Sequence, residues 1–259
     1  MCLVLFAYDA HPRYRLVLAA NRDELYARPT APAAFWDDAP ELLAGRDLRE
    51  GGTWLGVTRG GRFAAVTNFR DPAAQRPGAP SRGALVAGYL RSRGGPLEYL
   101  AGLAPLASAY NGFNLLVGDG RSLAWFSNRH PAFRILPPGV YGLSNHLLDT
   151  PWPKVARGKA DLRQALEGPP DELEESLFAT LALRDPAPDA ALPETGVGAE
   201  LERALSAAFI VTPEYGTRSS TVLLIGRDGG VSLVERTGAG GAEGTTEVRH
   251  RFPLDGPAW

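Results

Sequence analysis

The only cysteine of the 259-residue chain is residue 2, directly after Met1. Cytosolic methionine aminopeptidases remove Met1 when the second residue is small, so Cys2 is expected to carry a free thiol and a free α-amine. A thiol titrates near pH 8.5 and an α-amine at about 7.7 to 8.0, so the amine can accept the thiol proton near neutral pH. Cys2 is therefore a candidate nucleophile. The alternative is a small apolar residue at the start of a strand.

A predicted hairpin brings a charged segment to the start of the chain. Residues 2–8 and 15–20 are short apolar runs separated by DAHPRY, which is typical of two antiparallel strands. A turn centred near residues 11 and 12 pairs positions whose numbers sum to about 23. The segment 21–24, NRDE, is therefore expected to lie beside Cys2.

The side chains of this segment suit thiol chemistry. A guanidinium beside a thiol favours the thiolate, which is the role predicted for Arg22. Asp23 is predicted to orient the α-amine, and Asn21 to donate a hydrogen bond to a developing oxyanion. The alternative is an ordinary surface cluster of ion pairs, the commoner role of such residues taken singly.

The composition argues against several other classes of protein. A formal net charge of −2 gives no basic surplus for binding nucleic acid. No apolar run approaches the length of about 18 residues that predicts a membrane-spanning helix, and one thiol forms no internal disulfide. The four histidines have no metal-ligand spacing. We expect a cytoplasmic protein with a small-molecule ligand, no nucleic acid, no membrane insertion, no metal and no cofactor, its oligomeric state left open.

The remaining pattern predicts an α+β fold. Apolar runs flank glycine-containing turns in three further segments, 53–68, 113–128 and 221–237, and residues 245–252 form an extra strand. Helical spacing of apolar residues recurs within 81–93, 96–110, 153–168, 170–183 and 197–209. Strands with few charges on either side indicate sheets buried on both faces. We therefore predict one domain over residues 1–259, a four-layer αββα sandwich of antiparallel sheets.

Six segments resemble the NRDE family, the relatives of transport and Golgi organisation protein 2. They are AANRDELYARP (19–29), GGTWLGVT (51–58), TNFRDP (67–72), YNGFNLLV (110–117), YGLSNHLLDTPWPKV (141–155) and YGTRSSTVLLI (215–225). The resemblance covers essentially the whole chain in the expected order, and it implies an N-terminal nucleophile hydrolase-like fold with αββα layers. Roles in acyl-lipid or acyl-CoA homeostasis and in haem trafficking have been proposed for the family. The ligand that it implies is an acyl compound or haem.

A more distant resemblance implies roles for further residues. Cysteine-type choloylglycine and penicillin V hydrolases also begin Met-Cys, carry an Arg and an Asp at the end of the second strand, and use a later Asn and Arg. Arg22 and Asp23 resemble the first pair, although they are adjacent here and spaced as Arg-x-x-Asp in those hydrolases. Asn145 in GLSNH resembles the Asn, and Arg218 in YGTRSS the late Arg.

Two more residues join Asn21 as candidates for substrate binding. Asn68 ends its strand at TNF and is a second candidate oxyanion donor, and His146 follows Asn145 in the same motif. The sequence thus predicts an N-terminal cysteine hydrolase that cleaves a linear amide or thioester. Its predicted catalytic residues are Cys2, Arg22, Asp23, Asn145 and Arg218. The alternative is a non-catalytic carrier of haem or acyl lipids on the same fold.

Overall fold

A computed structural model describes residues 2–238 and 245–255. The described strands form two antiparallel sheets. The first sheet contains β1 (Cys2–Tyr8), β2 (Tyr14–Leu25), β10 (Gly139–Leu143), β11 (Tyr215–Gly226), β12 (Gly230–Thr237) and β13 (Thr246–Pro253), in the order β10-β1-β2-β11-β12-β13. The second sheet contains β3 (Thr30–Trp36), β4 (Ala39–Asp47), β5 (Leu55–Thr58), β6 (Phe63–Asn68), β7 (Phe113–Gly118), β8 (Leu123–Ser127) and β9 (Arg134–Ile135), in chain order.

Helices cover the outer face of each sheet. The α-helices of the described residues are α1 (Gly83–Arg91), α2 (Pro96–Leu103), α3 (Pro153–Glu167), α4 (Leu173–Leu181) and α5 (Ala199–Leu205). Helices α1 and α2 pack on the second sheet, whereas α3 and α4 pack on the first. Both α2 and α3 begin with a proline, which lacks the N–H that a first turn leaves unpaired. Within the described ranges, none of these helices has the length and apolar character that crossing a membrane requires.

Alternating side chains of β1 show how the layers are held together. Val4 and Phe6 belong to the apolar core between the two sheets. Leu3 and Leu5 point the other way and belong to the core between the first sheet and α3 and α4. Both faces of the strand are buried, which explains why CLVLFAY is almost entirely apolar. The molecule is therefore an α+β structure with the predicted αββα layers.

Most predicted elements are confirmed, and the errors have local causes. The hairpins β1–β2, β5–β6, β7–β8 and β11–β12 form, as does the extra strand β13. Sequence reasoning missed the hairpin β3–β4 and the strands β9 and β10. Strand β3 contains Pro32 and its pairing with β4 shifts register between Ala31 and Ala34, which breaks the alternation that identifies a strand. Strand β10, GVYGL, is short and contains two glycines.

Candidate active site

The β1–β2 hairpin brings Cys2 to the NRDE segment. The ladder pairs Cys2 with Arg22 and Leu3 with Asn21, so the numbers of paired residues sum to 24 and the register differs by one residue from the predicted sum of about 23. Directly paired residues project from the same face of a sheet, so Cys2 and Arg22 share a face. The prediction that NRDE lies beside the start of the chain is confirmed.

Cys2 lines a cleft of about 240 Å³, named here the Cys2 cleft. Its walls are the ends of β1, β2, β4 and β6, the turn at residues 50–54 and the segment 79–83 that leads into α1. Most of the side chains that line it are polar or charged. The cleft therefore suits a small polar molecule.

Arg22 is fixed in the wall of the cleft by contacts on several sides. Its Nη1 donates to Thr30 Oγ1 at 3.2 Å, and its guanidinium carbon lies 4.2 Å from the centre of the Trp54 ring. Its Nη2 lies 3.9 Å from a carboxylate oxygen of Glu24 and 4.0 Å from one of Asp47. Because these contacts hold a buried cation on the face that Cys2 shares, Arg22 is placed to stabilise negative charge on the sulfur.

The environment of Cys2 favours the protonated thiol. Burial raises the pKa of Cys2, and the nearby carboxylate of Asp23 raises it further. A hydrogen bond from the Asp23 backbone and the charge of Arg22 lower the pKa without cancelling the effect of burial. A reaction at this sulfur near neutral pH therefore needs a base that removes the thiol proton.

Asp23 lies at the junction of β2 and β11. It is 2% exposed, and its Oδ1 accepts a hydrogen bond from Thr217 Oγ1 at 2.7 Å. Its backbone oxygen accepts one from the Tyr215 hydroxyl at 3.1 Å. Burial raises the pKa of Asp23, while the charge of Lys154 lowers it. The carboxylate therefore depends on a neighbouring cation for its charge.

Lys154 is a site residue that sequence reasoning missed. It is the second residue of α3, it is buried, and in the described part of the chain its Nζ has no hydrogen-bond partner. Burial lowers the pKa of Lys154 to about 8, while the charges of Asp23 and Cys2 act in the opposite direction. The sequence offered one signal for Lys154, the rarity of lysine: the chain has only two lysines, and the other is Lys159.

The two predicted asparagine donors occupy different positions. Asn68 lines the Cys2 cleft, and no hydrogen bond within the described ranges occupies its side-chain amide. Asn145 is fully buried behind it and donates from Nδ2 to the backbone oxygen of Asn68 at 3.0 Å. Ser144 Oγ lies 3.0 Å from the backbone oxygen of Cys2 and 3.3 Å from Asn145 Oδ1. Asn145 therefore supports the wall that presents Asn68.

Asn21 points away from the cleft, because it neighbours Arg22 on a strand whose side chains alternate. Its Nδ2 donates to the backbone oxygens of Leu181 and Ala208, each at 2.8 Å. Its Oδ1 accepts from Ser220 Oγ at 2.6 Å. The side chain thus ties β2 to the helix layer, and the structure does not bring it to Cys2.

Arg218 and His146 also lie outside the lining of the Cys2 cleft. Arg218 donates from Nη1 to the backbone oxygens of Leu25 at 2.8 Å and Arg28 at 3.0 Å, so it holds the turn that follows β2. His146 Nδ1 lies 2.8 Å from Thr150 Oγ1, and burial lowers the pKa of the imidazole. Across residues 2–238 and 245–255, no group of three or more His, Cys, Asp or Glu side chains is arranged to hold a metal ion.

Comparisons with known proteins identify the family. A family model described as transport and Golgi organisation 2 matches residues 1–239. The transport and Golgi organization protein 2 homolog of Bos taurus is 40% identical over 283 residues, covering 98% of this chain and 99% of that protein. The Homo sapiens homolog is 40% identical over 258 residues, covering 92% and 93%. Among solved structures, a Caenorhabditis elegans N-acylethanolamine-hydrolyzing acid amidase ortholog is similar with a TM-score of 0.47 and 12% identity, covering 86% of this chain and 92% of that one. The family match and these relatives show that the chain belongs to the transport and Golgi organisation 2 family, the NRDE family that its sequence segments resemble.

Proposed function

We propose that the protein is a hydrolase that cleaves a linear amide or thioester with Cys2 as its nucleophile. The observation that carries the proposal is the placement of the single thiol. Cys2 lines a polar cleft that Asp23 also lines, and it pairs with Arg22 across the ladder. Membership of the family does not itself name a reaction, so the proposal rests on the chemistry of this site.

The α-amine of Cys2 is the base in the proposed reaction. Met1 lies outside the described residues, and the proposal requires its removal. The amine then takes the thiol proton as the sulfur attacks the carbonyl carbon, and Asp23 holds the resulting ammonium in place. The ammonium next returns the proton to the leaving amine or thiol. Water hydrolyses the acyl-cysteine thioester that remains.

The other predicted site residues take supporting roles. Asn68 donates its side-chain N–H to the oxyanion that forms from the substrate carbonyl. Asn145 positions that donor through its hydrogen bond to the Asn68 backbone. Arg22 stabilises negative charge on the sulfur, and Arg218 fixes the turn that carries the end of β2.

The character of the cleft favours the hydrolase over the carrier of haem or acyl lipids. Haem and acyl chains bind in cavities lined mainly by apolar side chains. The Cys2 cleft is lined mostly by polar and charged groups, among them Arg22, Glu24, Asp47 and Arg82. A single free thiol is typical of proteins of the reducing cytosol, so we place the activity in the cytoplasm.

Mass spectrometry of the intact protein tests the proposal. Incubation with a small activated thioester should add one acyl group per chain, and peptide mapping should place it on Cys2 of chains that lack Met1. The Cys2→Ala variant should acquire none. Acylation of another residue in the native protein, or equal acylation of Cys2→Ala, would contradict the proposed nucleophile.

A further inference from the structure

Arg82 brings a second guanidinium into the Cys2 cleft. It directly precedes α1, it is half-buried, and it lines the cleft together with Ser81 and Gly83. Its Nη1 donates to the backbone oxygen of Gly112 at 3.1 Å. Arg82 and Cys2 line the same cleft, and the charge of Cys2 acts against the effect of burial on the pKa of Arg82.

The backbone around Arg82 is rigidly placed. A Cβ on Gly52 would lie 2.6 Å from the carbonyl carbon of Gly83, so the two segments touch through their backbones. Thr53 N–H also donates to the Gly83 oxygen at 3.3 Å. These contacts lock the start of α1 against the loop beside the cleft, and Arg82 is held at its wall.

The carboxylates of the cleft have cationic or polar partners within the protein, whereas Arg82 has no carboxylate partner. Asp47 accepts from Arg28 Nε at 2.7 Å, and Glu24 lies 3.9 Å from both Arg22 and Arg28. Among the described residues, no carboxylate lies within 4.0 Å of Arg82. Burial lowers the pKa of Arg82, and the group remains a cation at neutral pH. A partly desolvated cation without an ionic partner is a ready site for an anionic ligand group.

We propose that Arg82 binds a carboxylate of the substrate, so that the Cys2 cleft accepts small amides or thioesters that carry a negative charge. The inference rests on the proposed function, since it concerns the substrate of that reaction. A guanidinium presents several N–H donors in one plane and matches a carboxylate geometrically. The cleft volume of about 240 Å³ lies below the usual range of ligand pockets, about 300 to 1,000 Å³, and thus favours a short substrate.

Charge-selective alkylation tests this assignment without a known substrate. Iodoacetate and iodoacetamide are similar in size and both alkylate a thiol with loss of iodide, but only iodoacetate is an anion. The single cysteine makes every alkylation of a thiol attributable to Cys2. We define the normalised ratio as the rate constant for iodoacetate divided by that for iodoacetamide, relative to the same quotient for the unfolded chain. It should be roughly 10 in the native protein.

Matched variants assign the effect to one side chain. The normalised ratio should fall to about one in Arg82→Gln and stay largely intact in Arg82→Lys, which keeps the charge. Arg91→Gln is the control, because Arg91 ends the same helix and pairs with Asp38 at 2.8 Å outside the cleft. Succinate should raise the melting temperature of the native protein and of Arg91→Gln, and leave that of Arg82→Gln unchanged.

The outcomes separate this inference from the proposed function. Efficient alkylation of native Cys2 without a preference for iodoacetate would overturn the role of Arg82 and leave the nucleophile intact. Failure of both reagents to modify native Cys2 would count against the nucleophile. In that case the succinate shift decides the role of Arg82, and an equal shift in Arg82→Gln would refute it.

Discussion

Replacing Lys154 with methionine should stabilise the protein while it impairs the chemistry at Cys2. Lys154 is 4% exposed, and burial lowers its pKa from 10.5 to about 8. At pH 7 this shift corresponds to about 3 kcal/mol of destabilisation by the buried charge. Methionine fills a similar volume without a charge. The shift already includes the attraction between Lys154 and Asp23, so it gives the net effect of the lysine charge.

We therefore expect Lys154→Met to raise the free energy of unfolding at pH 7 by up to about 3 kcal/mol. The folded-state pKa of Lys154 lies below its unfolded value, so the destabilisation is fully present below about pH 8 and disappears as the pH rises towards 10.5. The difference between variant and native protein should shrink accordingly. Urea denaturation followed by tryptophan fluorescence at pH 7 and pH 9.5 measures it.

The second lysine provides the control for this experiment. Lys159 lies on the same helix and pairs with Asp149 at 2.6 Å in a partly exposed position, so Lys159→Met should change stability by less than about 1 kcal/mol. Acylation of Cys2 should slow in Lys154→Met and not in Lys159→Met. A Lys154→Met protein that is less stable than Lys159→Met at pH 7 would refute the electrostatic argument.

Four further substitutions test separate parts of the structure. Glu235→Gln should raise the melting temperature at pH 7, because burial raises the pKa of Glu235 and makes its ionisation in the folded state unfavourable. This increase in melting temperature should vanish as the pH falls to about 4.5, where the carboxyl group becomes protonated. Gly52→Ala should lower the free energy of unfolding by about 1 to 3 kcal/mol and slow alkylation of Cys2, because the new Cβ would displace Gly83 at the start of α1. Asn68→Ala should slow acylation by about 10²- to 10³-fold with little change in melting temperature, whereas Asn145→Ala should mainly lower the melting temperature.

Three results would contradict the premises of these predictions. A stabilisation by Glu235→Gln that persists at pH 4.5 would show that ionisation is not its source. Gly60→Ala is the control for Gly52→Ala, since a Cβ on Gly60 would lie near only Thr58 Oγ1, at 3.9 Å. An equal loss in the free energy of unfolding in both variants would show that the contact between Gly52 and Gly83 is not the cause. Unchanged acylation in Asn68→Ala would remove that residue from the reaction.

Local patterns predicted the part of the site that lies within one hairpin. The approach of Cys2 to NRDE follows from a short turn and two apolar runs, and both are visible in sequence. It was harder to predict from which face of the sheet each side chain projects. A shift of one residue in the register decides whether Asn21 or Arg22 shares the face of Cys2, and sequence fixes a turn only to within a residue or two.

The remaining site residues depend on packing between distant segments. The charge of Lys154 acts on Asp23 because α3 packs on β1 and β10, and Arg82 lines the cleft because α1 begins against the loop at Gly52. Neither residue belongs to a spacing pattern that indicates chemistry, since each is a single basic residue at the start of an amphipathic helix. Among the described residues, Lys154 stands out because it is buried without a hydrogen-bond partner, and Arg82 stands out because it lines the cleft without a carboxylate partner.

The pH dependence of Cys2 acylation, measured side by side in chains with and without Met1, tests the central claim most directly. If the α-amine is the base, the rate in the Met1-free chain should rise with an apparent pKa near that of an α-amine, about 7.7 to 8.0. The chain that retains Met1 should react only as the pH approaches the raised pKa of the buried thiol. Identical profiles in the two chains would show that the α-amine takes no part and would contradict the proposed mechanism.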